Sequence, residues 1–230
     1  MTPTRKDPDS LTAPVEDYLK AVYEIERSGS AAATTTLASR LGVAPASVSG
    51  MVRRLAEQGL LAYEPYRGVT LTATGRTAAL RTIRRHRVLE SYLTTVLGYA
   101  WDRVHEEAER LEHAASDELV DRMARALGDP LVDPHGAPIP TREGRVDETV
   151  HGTLAEIGVG ERARVVRVSD SDGAMLRYLA ELGIIPGTPL CIVAREPFGG
   201  PIAVEVAGVA RSVGPALAEQ VLVEREDDAG

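Results

Sequence analysis

Apolar positions recur at helical spacing through residue 128 and shift to short β runs beyond 151. Val15, Tyr18, Leu19, Val22 and Ile25 mark a helix over 14–26, with Pro14 in its first turn and Gly29 past its end. In TTTLASRLGVAPASVSGMVRRLAEQGLL, Thr36 predicts the cap of a short helix running through Leu41. Gly42 supplies a tight turn, and Pro45 opens a second helix over 45–58 carrying Val48, Met51, Val52 and Leu55. LLAYEPYRGVTLT reads as strand, turn at 65–68, strand. Two short helices, a glycine turn and a hairpin make a winged helix-turn-helix. A long helix follows from Thr74 through RTAALRTIRRHRVLESYLTTVLG, then helices at WDRVHEEAERLEHAAS and DELVDRMARALG. Residues 129–151, with DPLVDPHGAPIP, read as a linker. Strands at 163–168, 190–194, 202–206 and 221–223, with one helix at 174–182, predict a small β-barrel-like domain. The fold class is mainly α with a small β domain, divided as 1–73, 74–145 and 146–230.

Charge sharpens the division. The 230-residue chain carries a net −8, but 1–80 carries +1, 81–145 carries −2 and 146–230 carries −7. The first domain therefore keeps a face that phosphate can approach, whereas the last would repel it. The expected recognition helix over 45–58 exposes Ser47, Ser49, Gly50, Arg53 and Arg54. Ser47, Ser49 and Gly50 are expected near base edges, and Arg53 and Arg67 near phosphates. Thr36 and Pro45 complete the expected DNA-facing set. No apolar run is long enough to span a bilayer, and MTPTRKDPDS lacks the apolar core of a signal peptide. A cytoplasmic protein with no membrane segment is expected. The single cysteine, Cys191, excludes an intrachain disulfide and reads as core.

The segment around His105 carries the candidate chemistry. On a helical wheel with His105 at zero, Glu109 falls near about 40°, Glu112 near about 340° and His113 near about 80°. Imidazole and carboxylate four residues apart can share one first-row metal ion. His86 and Glu90 repeat the spacing on the preceding helix. A solvated charged face is the plainer alternative, but three of the five histidines fall on these two faces. His135, in DPHG, is either a further ligand or a surface loop residue, and His151 reads as exposed linker.

The order of these parts, with RRHRVLE, RVHEEAERLEH and DPHGAPIP, resembles the diphtheria toxin repressor family of iron- and manganese-dependent regulators over nearly the whole chain. ELGIIPGTPL and FGGPIAVEV are similar to the SH3-like domain that such regulators share with small ferrous-iron transport proteins. The resemblance implies a homodimeric repressor that binds palindromic operator DNA when metal-loaded and controls metal uptake and homeostasis genes. It assigns 1–73 to DNA binding, 74–145 to dimerisation and metal binding, and 146–230 to the SH3-like domain. About two metal sites per subunit are implied, each built from hard or borderline ligands. The activating site takes Asp17 of PVEDYLK with Glu109, Glu112 and His113. The ancillary site takes His86, Glu90, His105 and Asp170 of RVSDSD, with Asp172 a weaker match. The Pro-His-Gly loop used by some manganese members would add His135 and Asp133.

Two departures from the family matter. Iron-type members carry Met and Cys where this chain has Asp17 and Glu109; oxygen ligands suit manganese(II), with iron(II) the alternative. Two-domain manganese members have an acid one turn after the Asp, where this chain has Lys20. Two other function classes compete. A metal hydrolase lacks support, since no HExxH or separate general base is present. A winged-helix regulator with incidental metal would keep its DNA binding in chelator.

Overall fold

A computed structural model describes residues 11–27, 29, 32–64 and 68–226. The chain forms two compact units.

The first unit comprises the chain up to His86, Leu111–Ser116 and Pro140–Val146. Helix α1 (Ala13–Arg27) buries Val15, Tyr18, Leu19, Val22 and Ile25, the stripe expected from spacing. Helices α2 (Thr34–Leu41) and α3 (Pro45–Glu57) follow, separated by Gly42 in the left-handed conformation. Thr36 is not the cap: α2 starts two residues earlier, and its N-cap Ala33 offers no side chain to bond. Thr36 is instead an exposed helical residue. Strands β1 (Leu61–Glu64) and β2 (Gly68–Leu71) pair antiparallel, Leu61 opposite Leu71. Glu26 accepts a hydrogen bond from Leu71 N at 2.8 Å and ties the hairpin to α1. The apolar faces of α1–α3 and the hairpin meet Ala79, Leu80 and Ile83 of α4 (Ala73–Leu97) in one core.

The second unit comprises Arg87–Arg110, Asp117–Ile139 and the chain from Asp147. It holds the rest of α4, α5 (Val104–Leu111) as far as Arg110, and α6 (Asp117–Ala126). Its β part contains β3 (Gly152–Thr153), β4 (Arg162–Val168), β5 (Pro189–Arg195), β6 (Ile202–Val206), β7 (Val209–Val213) and β8 (Val221–Arg225). These form one antiparallel sheet in the order β3-β8-β4-β5-β6-β7, with α7 (Gly173–Leu182) and the short α8 (Pro215–Ala218). Alternate residues of the strands and Leu176 and Leu179 of α7 fill a second core.

Two expectations change. The helix expected over 101–116 ends at Leu111, where Ala114 N and Ala115 N both turn back to Leu111 O at 3.0 Å. The supposed linker is packed at its start: Asp133, His135, Ala137 and Ile139 are buried. Close backbone contacts hold this loop to the β part. His135 O accepts from Val168 N at 2.9 Å, and a Cβ on Gly136 (φ 85°) would stand 2.0 Å from Val166 O. Likewise, a Cβ on Gly173 would lie 2.6 Å from Asp102 O, beside the Arg177–Asp102 ion pair at 2.8 Å.

Candidate metal centres

Helix α5 ends at Leu111, so Glu112 and His113 fall in the turn that follows it. Glu112 and His113 belong to the first unit, and His105 and Glu109 to the second.

In the first unit, Asp17, Glu112 and His113 offer ligand atoms within 4.8 Å of one another. His113 Nε2 lies 2.8 Å from Asp17 Oδ1 and 3.6 Å from Glu112 Oε1. The other ring nitrogen, Nδ1, donates to Glu16 Oε2 at 2.6 Å, and Arg85 holds the far oxygen of Glu16. A carboxylate that takes Nδ1–H fixes the imidazole so that Nε2 faces the ligand cluster. Burial tends to lower the His113 pKa, but the bond to Glu16 and the charges of Asp17, Glu112 and Glu16 outweigh it and raise it. That proton must leave when Nε2 takes a cation. Glu112 is fully buried. Burial pushes its pKa up, yet the bond from His86 and the charges of Lys20 and His86 prevail and lower it. His86 Nδ1 stands 2.5 Å from Glu112 Oε2. Within the first unit, His86 is engaged with Glu112.

In the second unit, Glu90, Asp133 and His135 form one buried cluster, and Glu90, His105 and Asp170 form an adjoining one. His105 Nδ1 lies 3.2 Å from Glu90 Oε1 and 3.8 Å from Asp170 Oδ2. Glu109 stands beside this group, 3.8 Å from His105 Nε2. His135 is fully buried. Its Nε2 donates to Trp101 O at 2.7 Å, and its ring stacks on Trp101 at 5.6 Å. This assigns the lone pair to Nδ1, which is buried and makes no hydrogen bond among the described residues. Asp133 Oδ1 accepts from His135 N and Ala137 N at 2.8 and 2.9 Å, while Oδ2 makes no hydrogen bond there and faces Arg87 Nε at 3.6 Å. Burial and then the charge of Glu90 push Asp133 up to about 6. Carboxylates buried together with an unused imidazole lone pair are costly unless a cation joins them. The donor set of each cluster, oxygen with imidazole and no sulfur, fits a hard or borderline divalent ion. Asp172 is spent elsewhere: its carboxylate caps α7, accepting from Ala174 N and Met175 N.

The expected DNA-facing residues share one exposure. Thr36, Pro45, Ser47, Ser49, Gly50 and Arg53 are exposed, while Val48, Val52 and Leu55 of α3 are buried. Arg67 lies outside the described residues. Helix spacing alone could not find Glu16 and Arg85, because neither is read as a ligand and they stand 69 residues apart.

Comparison with known proteins meets this geometry in order along the chain. Residues 10–69 match the iron dependent repressor N-terminal DNA binding domain, 72–141 its metal binding and dimerisation domain, and 152–225 the FeoA domain. The diphtheria toxin repressor of Corynebacterium diphtheriae is 34% identical over 196 residues, covering 81% of this chain and 87% of that protein. The chain belongs to the diphtheria toxin repressor family. The family consists of metal-dependent transcriptional repressors, not enzymes. The iron-dependent repressor IdeR of Mycobacterium tuberculosis is 33% identical, covering 82% of this chain and 73% of that protein. A solved manganese-dependent transcriptional repressor in complex with manganese is 41% identical, with a TM-score of 0.86, covering 92% of this chain and all of that one. The C-terminal sheet is thus the FeoA, SH3-like domain. No described helix is long and apolar enough to cross a membrane.

Proposed function

We propose that this family member is a manganese(II)-responsive repressor that binds palindromic operator DNA as a homodimer through Pro45–Glu57 and the wing, and controls genes of metal uptake and homeostasis. The three-domain division at 73/74 and 145/146 accompanies this reading, as do two ions per subunit. The observation that carries it is the triad Asp17, Glu112 and His113: two carboxylates and one imidazole, oriented by Glu16 and Arg85, with no sulfur. The second cluster, Glu90, His105 and Asp170 with Asp133 and His135, is the proposed ancillary site.

A divalent ion supplies the positive charge that joins these donors. The chain's own part is to bring α1 and the segment Leu111–Ser116 together around it. Asp17 rides on α1, whose apolar face packs with α2 and α3, so fixing Asp17 biases the recognition helix. In a two-fold dimer the two recognition helices must meet major grooves roughly 34 Å apart. Moving such an equilibrium from 1:99 to 99:1 takes about 5.5 kcal/mol of differential binding.

Iron(II) is the second reading, favoured by iron-dependent relatives at 33% identity. The test is fluorescence anisotropy on operator fragments selected with metal-loaded protein, titrated with manganese and iron separately without oxygen. Manganese is expected to activate at least as well as iron. A response to iron with none to manganese would establish the second reading instead.

A further inference from the structure

Lys20 lies inside the first cluster rather than at its margin. Its Nζ stands 3.1 and 3.2 Å from the two carboxylate oxygens of Glu112 and 3.3 Å from His86 Nδ1. The lysine side chain is only 12% exposed and Glu112 not at all. Asp17 and Lys20 are three residues apart on α1 and so share a face. Glu112 is consequently two-sided. Its Oε2 is turned to His86 at 2.5 Å, and its Oε1 is 3.6 Å from His113 Nε2.

An ammonium in contact with these atoms repels a divalent ion that would use the same ones. Nζ is nearly equidistant from the two Glu112 oxygens but also touches His86 Nδ1, so the pair Glu112 Oε2 and His86 Nδ1 meets a charge the chain itself carries. Glu112 Oε1, though also bonded to Lys20, is the oxygen that faces His113 Nε2, beside Asp17. Resting on the assignment of Asp17, Glu112 and His113 as metal ligands, we propose that Lys20 is a resident cation that limits the first centre to one metal ion. It does so by holding the second cation position between Glu112 and His86. It also offsets part of the carboxylate charge in the metal-free protein, through its contacts with both oxygens of the buried Glu112.

The experiment uses the full chain with manganese(II) chloride, counting bound ions by equilibrium dialysis and detecting adjacent ions by electron paramagnetic resonance. The wild type should show only uncoupled manganese. Lys20→Glu replaces the resident cation with a ligand. It should gain one equivalent per chain and develop the signal of a spin-coupled pair. Lys20→Gln removes the charge but adds no carboxylate. It should keep the wild-type count and bind the first ion at least about tenfold more tightly. A coupled pair in the wild type, or Lys20→Glu without a gained ion, would overturn the proposal while leaving the ligand assignment intact. If Lys20→Glu does not fold, Lys20→Gln decides alone, and unchanged or weaker first-ion affinity overturns the proposal. His113→Ala separates the two levels: it should lose one equivalent. Full retention would overturn the ligand assignment and the role of Lys20 with it.

Discussion

The orientation of His113 depends on a residue with no place in a ligand count. Glu16 takes the Nδ1 proton and is itself held by Arg85, leaving Nε2 turned to Asp17 and Glu112. Glu16→Gln keeps the shape but weakens this anchor. The expected result is a loss of about 10–100-fold in manganese affinity, the usual scale for such supporting residues. Competition against a fluorescent chelator measures it, with an unchanged melting temperature showing that the fold is intact. Glu and His at three- and four-residue spacing mark candidate metal donors in the sequence, and the family resemblance adds Asp17. The end of α5 is not legible there, because Leu111 to Ala115 carry no proline or glycine to announce the stop. His135 could not be decided from sequence either, since a Pro-His-Gly loop reads alike whether exposed or, as here, buried under Trp101.

Among the elements, amphipathic helices were the most readable, because burial follows the 3.6-residue stripe they carry. Strand β7 was missed: VARSV offers only weak alternation, and Val209, Ala210 and Ser212 are exposed. The segment 129–151 reads as linker because proline and glycine mark irregular backbone, but irregular does not mean exposed, and Asp133, His135, Ala137 and Ile139 are buried. Gly136 shows what holds it in place. Ala there would meet Val166 O at 2.0 Å from a left-handed backbone, so Gly136→Ala should destabilise the second unit by about 2 kcal/mol or more. Urea titration in chelator would record it, and a midpoint unchanged from wild type would show that the loop is not pinned there. For α3, Ser47 is exposed at the helix start. Ser47→Glu should weaken operator binding in saturating manganese by at least about tenfold, since a carboxylate would face phosphate and base acceptors. Intact binding by anisotropy would remove α3 from its assigned role.

Across the whole molecule, charge is unevenly distributed. The last 85 residues, 146–230, carry −7, which favours metal and disfavours DNA. Their contribution to the second cluster is Asp170, 3.8 Å from His105 Nδ1. Asp170→Ala should therefore weaken manganese binding at that cluster and shift activation to higher metal, yet leave strong operator binding once metal saturates. Complete loss of metal-saturated binding would instead assign this domain to DNA contact. The central claim is that a cation held by Asp17, Glu112 and His113 switches DNA binding on. The most direct measurement compares wild type and His113→Ala by anisotropy on the same operator fragment, with manganese and with chelator. The wild type should bind about a hundredfold more tightly with manganese, a coupling of about 2.7 kcal/mol that shifts the switch partway. His113→Ala, with wild-type circular dichroism, should show almost no gain. An equal manganese response in both proteins would contradict the claim.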